Sequence, residues 1–335
     1  MLAQDGLSLC EGAEPLGLLV GAELEKRWSN GHTPLDWICH YSLVPTGKLF
    51  RPILLLHAAQ AVGGDPAQVM PAAVGAECGH VASLIHDDII DQDDLRRGRA
   101  SVQHKYGVND AIVAGDALIF DLFMALAECR QRGVSGSNVA AALEAVARAG
   151  LDLCRGQHLE AELTASRQYD AEMYLRVARL KTASFFRGAC ECGALLAGGS
   201  PDHVAALSLY GESLGTAFQI HDDLLAYLSR TQIMGKPDVS DVQNGRLTLP
   251  VILAHQAGTR EDRRLISDAL FTSMDPVRAL ALVTDIVERT GAVAEARRTA
   301  QTHVETAKSA LRRLPASDSR DTLHCYAEAV ISRDH

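Results

Sequence analysis

The middle of this sequence lacks proline. None of the eleven prolines falls between Pro71 and Pro201. That interval is dominated by Ala, Leu, Glu and Arg in helical periodicity, which excludes alternating β-branched strands as its main structure. We therefore predict an all-α chain of about ten to thirteen helices. Ser200-Pro201-Asp202 and Asp170 are typical of helix N-termini.

The chain also lacks a linker. No serine-, glycine- or proline-rich stretch and no sustained block of charge divides it. Of its 335 residues, 47% are apolar and 22% charged, which is enough to bury a large core. We predict a single domain over residues 1–335.

An excess of basic residues is missing as well. The 32 Lys and Arg are outnumbered by 42 Asp and Glu, which gives a formal net charge of -10. Nucleic acid and anionic membrane surfaces would repel such a protein, so neither is expected as a partner. An anionic ligand must be held by local cations or by a metal ion.

Signals for secretion and membrane insertion are absent from the sequence. The N-terminal residues are acidic, and the apolar run from Leu16 to Val20 is too short to span a bilayer. Eight cysteines are scattered from Cys10 to Cys325 without a regular framework. We expect reduced thiols, rather than disulfides or a zinc site, in a cytoplasmic protein.

Acidic residues are concentrated in the stretch SLIHDDIIDQDDLRRGR, from Ser83 to Arg99. On a helix, Asp87 and Asp91 are four residues apart, so their carboxylates project close together and repel unless a cation joins them. Mg²⁺ fits best, because it takes one or two carboxylates and completes its shell with water and substrate phosphate. A solvated surface is the alternative explanation for one such stretch.

A second Ile-His-Asp-Asp sequence lies in FQIHDDLLA, from Phe218 to Ala226, and includes Asp222 and Asp223. Its recurrence inside another apolar helix favours a binding site over a solvated surface. We predict that the two acidic helix ends face one another across a shared cavity.

Basic and polar side chains recur near these acidic stretches. Guanidinium and ammonium groups bind phosphate oxygens, and a helix N-terminus favours anions. The simpler alternatives are pairing with Asp93 and Asp94, surface exposure, or packing in the core. The candidate diphosphate-binding groups are Lys48, Arg51, His80, Arg96, Arg97, Lys181 and Thr182.

Taken together and in order, these motifs resemble those of the trans-isoprenyl diphosphate synthases, or polyprenyl synthetases. The resemblance covers roughly Thr46 to Leu253. Its matching segments are Gly47-Lys48-Leu49-Phe50-Arg51-Pro52, Glu77 to His80, Asp87-Asp88-Ile89-Ile90-Asp91 with Arg96-Arg97-Gly98, Gly115-Asp116, Gly156-Gln157, Lys181-Thr182, Phe218-Gln219 with Asp222-Asp223, Gly235-Lys236, and Thr248-Leu249-Pro250.

The resemblance implies a helical bundle around a central elongated cavity, a homodimer, and three Mg²⁺ ions. Asp87 and Asp91 would hold two of the ions and Asp222 the third. The implied allylic diphosphate ligands are Arg96, Lys181 and Lys236, and those of isopentenyl diphosphate are Lys48, Arg51, His80 and Arg97. Thr182 and Gln219 would line the site between them, with Asp88 and Asp223 in support.

The implied reaction is ionisation of the allylic carbon–oxygen bond, attack on the cation by the double bond of isopentenyl diphosphate, and loss of a proton. The departing diphosphate is the expected base. One position departs from the family, because its second motif commonly ends in a third aspartate and here has Ala226. A non-catalytic subunit of a heteromeric synthase and a class I terpene cyclase are the alternatives.

Product length in this family depends on side chains below the first aspartates. Here those residues are small and include Ala82, Ser83 and Gly79. From Asp87 to Ala76 a helix spans roughly 16 Å, which fits three to four five-carbon units of about 5 Å each. We expect a geranylgeranyl product, then longer chains, then farnesyl. Phe120 and Phe123, with Met124, are the candidates for a floor, although they would serve equally well in the core.

Overall fold

The computed structural model describes residues 13–29, 31, 33–228 and 239–332. These residues form the following helices: α1 (Ala13–Trp28), α2 (Pro34–Leu43), α3 (Phe50–Ala61), α4 (Pro66–Asp91), α5 (Val102–Tyr106), α6 (Val108–Glu128), α7 (Gly136–Ser166), α8 (Ala171–Ala178), α9 (Ser184–Leu196), α10 (Pro201–Leu228), α11 (Ser240–Gln243), α12 (Leu249–Ala257), α13 (Arg260–Phe271), α14 (Pro276–Arg289), α15 (Ala292–Leu311) and α16 (Asp318–Ala329). A 3₁₀ turn (Cys129–Arg132) follows α6, and a π-helical segment (Arg179–Ala183) joins α8 to α9.

The all-α prediction is confirmed. Within the described residues, the one sheet is a hairpin of two-residue strands, β1 (Leu95–Arg96) and β2 (Arg99–Ala100). The described residues form sixteen α-helices, more than the ten to thirteen predicted. Two of them, α5 and α11, have only five and four residues and are too short for periodicity to reveal.

Two predicted helix starts are present in the structure. Helix α10 begins at Pro201. At the start of α8, the Asp170 carboxylate accepts hydrogen bonds from the backbone N–H groups of Glu172 and Met173. These caps satisfy amide groups that have no partner within the helix.

Helix α10 connects the two apolar clusters of the fold. Its first half contributes Leu207 and Leu214 to a cluster built mainly by α1–α6, α9 and α16. Its second half contributes Ile220 and Leu224 to a cluster built mainly by α8 and α12–α15. The Asp222-Asp223 pair therefore lies on a helix whose first half packs in one apolar cluster and whose second half packs in the other.

Among the helices that the structure describes, none combines the length and the apolar character needed to cross a bilayer. Cys325 is disulfide-bonded, so the prediction of reduced thiols is wrong for this residue. A disulfide depends on proximity in the fold, which irregular spacing along the chain does not reveal. Six other cysteines are free: Cys39, Cys78, Cys129, Cys154, Cys190 and Cys192.

Candidate active site

A cavity of about 1370 Å³ lies between the long helices. Asp87 and Asp91 of α4 line it, together with Asp222 and Asp223 of α10. The two acidic helix ends, far apart in sequence, thus share one space, which we call the acidic cavity. The arrangement concentrates oxygen donors where a hard cation and an anionic ligand can meet.

The carboxylates of the acidic cavity fit Mg²⁺. Burial raises the pKa of Asp87, Lys181 opposes that shift, and the nearby Asp91 carboxylate adds to it. Within the described residues, no three His, Cys, Asp or Glu side chains converge as a ready-made ligand set. Mg²⁺ does not require one, since it keeps several waters and uses one or two carboxylates with substrate phosphate. Asp87, Asp91 and Asp222 are the residues that would hold it.

Asp88 has a different environment from its neighbours. Its side chain is buried and accepts hydrogen bonds from Arg96, one of them from Nε at 2.8 Å. Arg96 also lies 3.4 Å from the Asp93 carboxylate. Asp88 therefore fixes the β1–β2 hairpin to the end of α4 and holds the Arg96 guanidinium at the edge of the acidic cavity, which Arg96 lines.

Three further ion pairs, formed by two cations, partly neutralise the acidic cavity. Lys181 Nζ lies 2.5 Å from the Glu160 carboxylate. Arg246 pairs with Asp91 and, at 3.1 Å, with Asp241. Sequence reasoning did not identify Glu160, Asp241 or Arg246. The only signals were the position of Glu160 three residues after Gln157 and that of Arg246 two residues before Thr248.

A second group of cations adjoins the first aspartates. Arg51 is half-buried, its guanidinium lies 4.6 Å from the centre of the Phe186 ring, and its enclosed Nε donates to no described group. Burial lowers the pKa of Arg51 to about 10. Arg97 lies 3.9 Å from the buried Glu77. Burial, Arg51 and Arg97 lower the pKa of His80 well below its usual value. This concentration of donors, one of them unpaired, suits an anion.

Four side chains form a hydrogen-bonded row across the acidic cavity. Thr182 donates to Gln219 Oε1 at 2.6 Å, and Gln219 Nε2 donates to Asp223 at 2.7 Å. Tyr174 donates to the other oxygen of Asp223 at 2.6 Å. The row fixes Thr182 and Gln219, which both line the cavity, with their oxygens in set positions.

Glycines hold the π-helical segment close to its neighbours. A Cβ atom on Gly156 of α7 would lie 2.2 Å from the backbone nitrogen of Lys181. A Cβ atom on Gly215 of α10 would lie 2.6 Å from the Cα of Ala183. Only glycine permits this approach, so these two positions determine where Lys181 and Thr182 lie.

A second, apolar cavity of about 30 Å³ lies among α3, α4, α6, α7 and α9, and Gly79 lines it. Of the other residues predicted for product length, Ser83 lines the acidic cavity and Ala82 is fully buried. Phe120 is 69% exposed, so its assignment as a floor is wrong. Phe123 packs against the core and lines neither cavity. The α6 residues that reach the apolar cavity are Leu122 and Leu126, which lie on another face of the helix.

One predicted ligand lies apart from this arrangement. Lys48 is exposed just before α3 and does not line the acidic cavity. Lys236 lies outside the described residues. Arg51, His80, Arg96, Arg97, Lys181, Thr182 and Gln219 all line the cavity.

Comparison with known proteins agrees with this geometry. The polyprenyl synthetase family matches residues 32–284. The chain belongs to this family. A short chain isoprenyl diphosphate synthase of Methanothermobacter thermautotrophicus is 38% identical over 289 residues, which are 86% of this chain and 87% of the relative. A geranylgeranyl diphosphate synthase of Methanosarcina mazei is 32% identical, with 86% of each chain covered.

Solved structures of polyprenyl synthetases share the fold. A geranylgeranyl pyrophosphate synthetase from Pyrococcus horikoshii gives a TM-score of 0.87 at 29% identity, with 96% of this chain and 97% of that chain covered. A polyprenyl synthase from Caulobacter crescentus, complexed with calcium and isoprenyl diphosphate, gives 0.86 at 28% identity and covers 96% of each chain. The protein is therefore a trans-prenyltransferase that makes a prenyl diphosphate.

Proposed function

We propose that this enzyme condenses isopentenyl diphosphate with an allylic diphosphate to make geranylgeranyl diphosphate, using three Mg²⁺ ions. The observation that carries the proposal is the single acidic cavity lined by Asp87, Asp91 and Asp222. Its acidic part suits a metal-bound diphosphate, and the neighbouring Phe185 and Phe218 offer apolar surface to a prenyl chain.

The proposed roles of the side chains follow from their charges and contacts. Mg²⁺ held by Asp87, Asp91 and Asp222 would neutralise the departing diphosphate, where negative charge grows. Lys181 donates hydrogen bonds to the same diphosphate, and so does Arg96, oriented by Asp88. Arg51, His80 and Arg97 bind the diphosphate of isopentenyl diphosphate, since Arg51 Nε is the buried donor without a described partner.

Thr182 and Gln219 stabilise the allylic cation in this proposal. Their oxygens are held in the row that ends at Asp223 and Tyr174. Fixed dipoles of this kind need no reorganisation when charge develops. The released diphosphate accepts the proton, so the chain itself needs no general base. The cytoplasmic location, the single domain and the Lys48 and Lys236 ligands stay predictions.

Incubation of the purified chain with Mg²⁺, isopentenyl diphosphate and an allylic primer tests the proposal. Reversed-phase chromatography of the dephosphorylated products should give a twenty-carbon alcohol as the main species. A different chain length would contradict the product assignment. Absence of any elongation would favour a non-catalytic subunit of a heteromeric synthase.

Ala226 gives a separate prediction about the metal. It lines the acidic cavity four residues after Asp222, so an aspartate there projects beside the Asp222 carboxylate. We expect Ala226→Asp to lower the Mg²⁺ concentration that gives half-maximal activity. Ala226→Asn, which adds similar bulk without charge, is the control. An unchanged magnesium dependence in both variants would mean that this position does not act on the metal.

We also propose a homodimer formed through α6. Its exposed apolar side chains include Val113, Phe120 and Met124, which are 52%, 69% and 62% exposed. Their spacing of seven and four residues puts them on one face of the helix. A second copy of the chain can cover this face by two-fold symmetry, as in most homo-oligomers.

Charge on this face is expected to separate the subunits. Met124→Asp should convert the dimer to a monomer in light scattering coupled to size-exclusion chromatography, because it leaves an unpaired carboxylate in an apolar interface. Leu209→Asp on α10, at a residue 40% exposed, is the matched control and should stay dimeric. A dimeric Met124→Asp variant would exclude this face.

A further inference from the structure

Phe185 lies between the two cavities of this enzyme. It and Arg51 line both the acidic cavity and the apolar cavity. Six residues of the apolar cavity are alanine or glycine: Ala72, Ala76, Gly79, Ala149, Gly188 and Ala189. At about 30 Å³ this cavity holds roughly one water molecule and is too small for a five-carbon unit.

The local structure turns the Phe185 ring toward these cavities. Phe185 comes two residues after the π-helical segment Arg179–Ala183, and its side chain lines the acidic cavity together with that of Lys181. Its neighbour Phe186 is fully buried, with its ring centre 5.4 Å from that of Phe50. Phe185 is only partly buried, and its Cε2 lies 3.9 Å from the position of a Cβ atom on Gly79. That distance is an ordinary van der Waals contact, so the ring lies against α4 at Gly79, where Leu122 Cδ2 is the nearer neighbour at 2.9 Å.

The depth of this ring matches the length of a prenyl chain. Gly79 precedes Asp87 by eight residues, or roughly 12 Å along α4. At about 5 Å per five-carbon unit, two to three units fit between them. With one further unit beside the aspartates, the space above the ring holds a product of three to four units. From Gly79 to Ala72 the helix extends by roughly 10 Å more, enough for two additional units.

We propose that the Phe185 ring is the floor that sets product length, and that the small residues beyond it form a channel which the ring closes. This inference rests on the proposed elongation activity. It assigns the floor to α9, whereas the sequence pointed to Phe120 and Phe123 on α6. The growing chain stops where its end meets the ring, because further units find no volume.

Phe185→Ala tests the floor directly. The variant is expected to make products longer by one or two five-carbon units, from the same primer and at the same magnesium concentration as the wild type. Phe185→Leu should lengthen the product by less. This milder variant still tests the proposal if the alanine variant folds poorly. Phe120→Ala removes the same ring atoms from the outer surface and should leave the product distribution unchanged.

A substitution at Ala76 tests whether the growing chain meets Phe185 before it reaches the deeper part of the channel. Ala76→Phe places a ring deeper in the channel, below Phe185. In the wild-type background it should not alter product length, because the chain does not reach residue 76. In the Phe185→Ala background it should restore the shorter product. A shortened product from Ala76→Phe alone would mean that the chain already passes Phe185, and the proposal would be overturned.

The outcomes separate this inference from the proposed function. Thermal melting shows whether both Phe185 variants are folded. If the wild type elongates and both folded variants give the wild-type product distribution, the floor assignment fails and the prenyltransferase activity stands. An equal shift in Phe120→Ala and Phe185→Ala would also defeat the assignment. If the wild type does not elongate any primer, the proposed function itself fails.

Discussion

Replacement of Asp87 by alanine is expected to lower the rate of elongation by roughly 10³-fold, since it removes a group that would hold the metal at the departing diphosphate. The same change should leave the protein folded. Burial raises the pKa of Asp87 in the folded state, so at neutral pH the ionised carboxylate opposes folding. Its removal should therefore leave the melting temperature unchanged or higher.

Steady-state elongation and thermal melting of the metal-free protein measure these two effects. Asp94→Asn is the matched control, because Asp94 belongs to the same acidic stretch but is 74% exposed and pairs with His104. It should retain wild-type activity. Near-normal elongation by Asp87→Ala would show that this carboxylate does not hold the metal.

Gly156→Ala is expected to lower activity by roughly 10²-fold, although residue 156 does not line the acidic cavity. The new methyl group would lie 2.2 Å from the Lys181 nitrogen and 2.6 Å from its Cα, and neither backbone atom can rotate away. The π-helical segment must shift and carry Lys181 and Thr182 with it. We also expect a loss of about 1–3 kcal/mol in the free energy of unfolding.

Gly150→Ala on the same helix is the control for this prediction. A Cβ atom at residue 150 meets nothing within 4 Å. That variant should be stabilised by about 0.5–1 kcal/mol, because alanine is the better helix former, and should keep its activity. Equal activity of the two variants would mean that the close approach at Gly156 does not position Lys181.

The sequence predicts much of the site because helix geometry fixes neighbours within one element. The spacing of Asp87 and Asp91 identifies a shared face, and the repeated motif at Asp222 identifies the second wall of the cavity. The spacing does not reveal that Asp88 turns away to bind Arg96, because that depends on the hairpin that follows α4.

Contacts between elements account for what the sequence could not predict. The Arg246–Asp91 pair joins residues far apart in the chain. The floor of the product pocket was assigned to α6 by side-chain size, but the rotation of α6 exposes Phe120 and turns Leu122 inward. The π-helical segment that begins at Arg179 shifts the direction of the side chains that follow it. The regular helical spacing used to read the sequence therefore does not give the direction of the Phe185 side chain.

The Arg246–Asp91 and Lys181–Glu160 pairs affect the stability of the folded protein in the absence of bound metal. They supply internal counterions to carboxylates that otherwise repel one another. We therefore expect removal of metal by a chelator to leave the acidic helices in place, in contrast to small domains that unfold when a chelator removes their zinc.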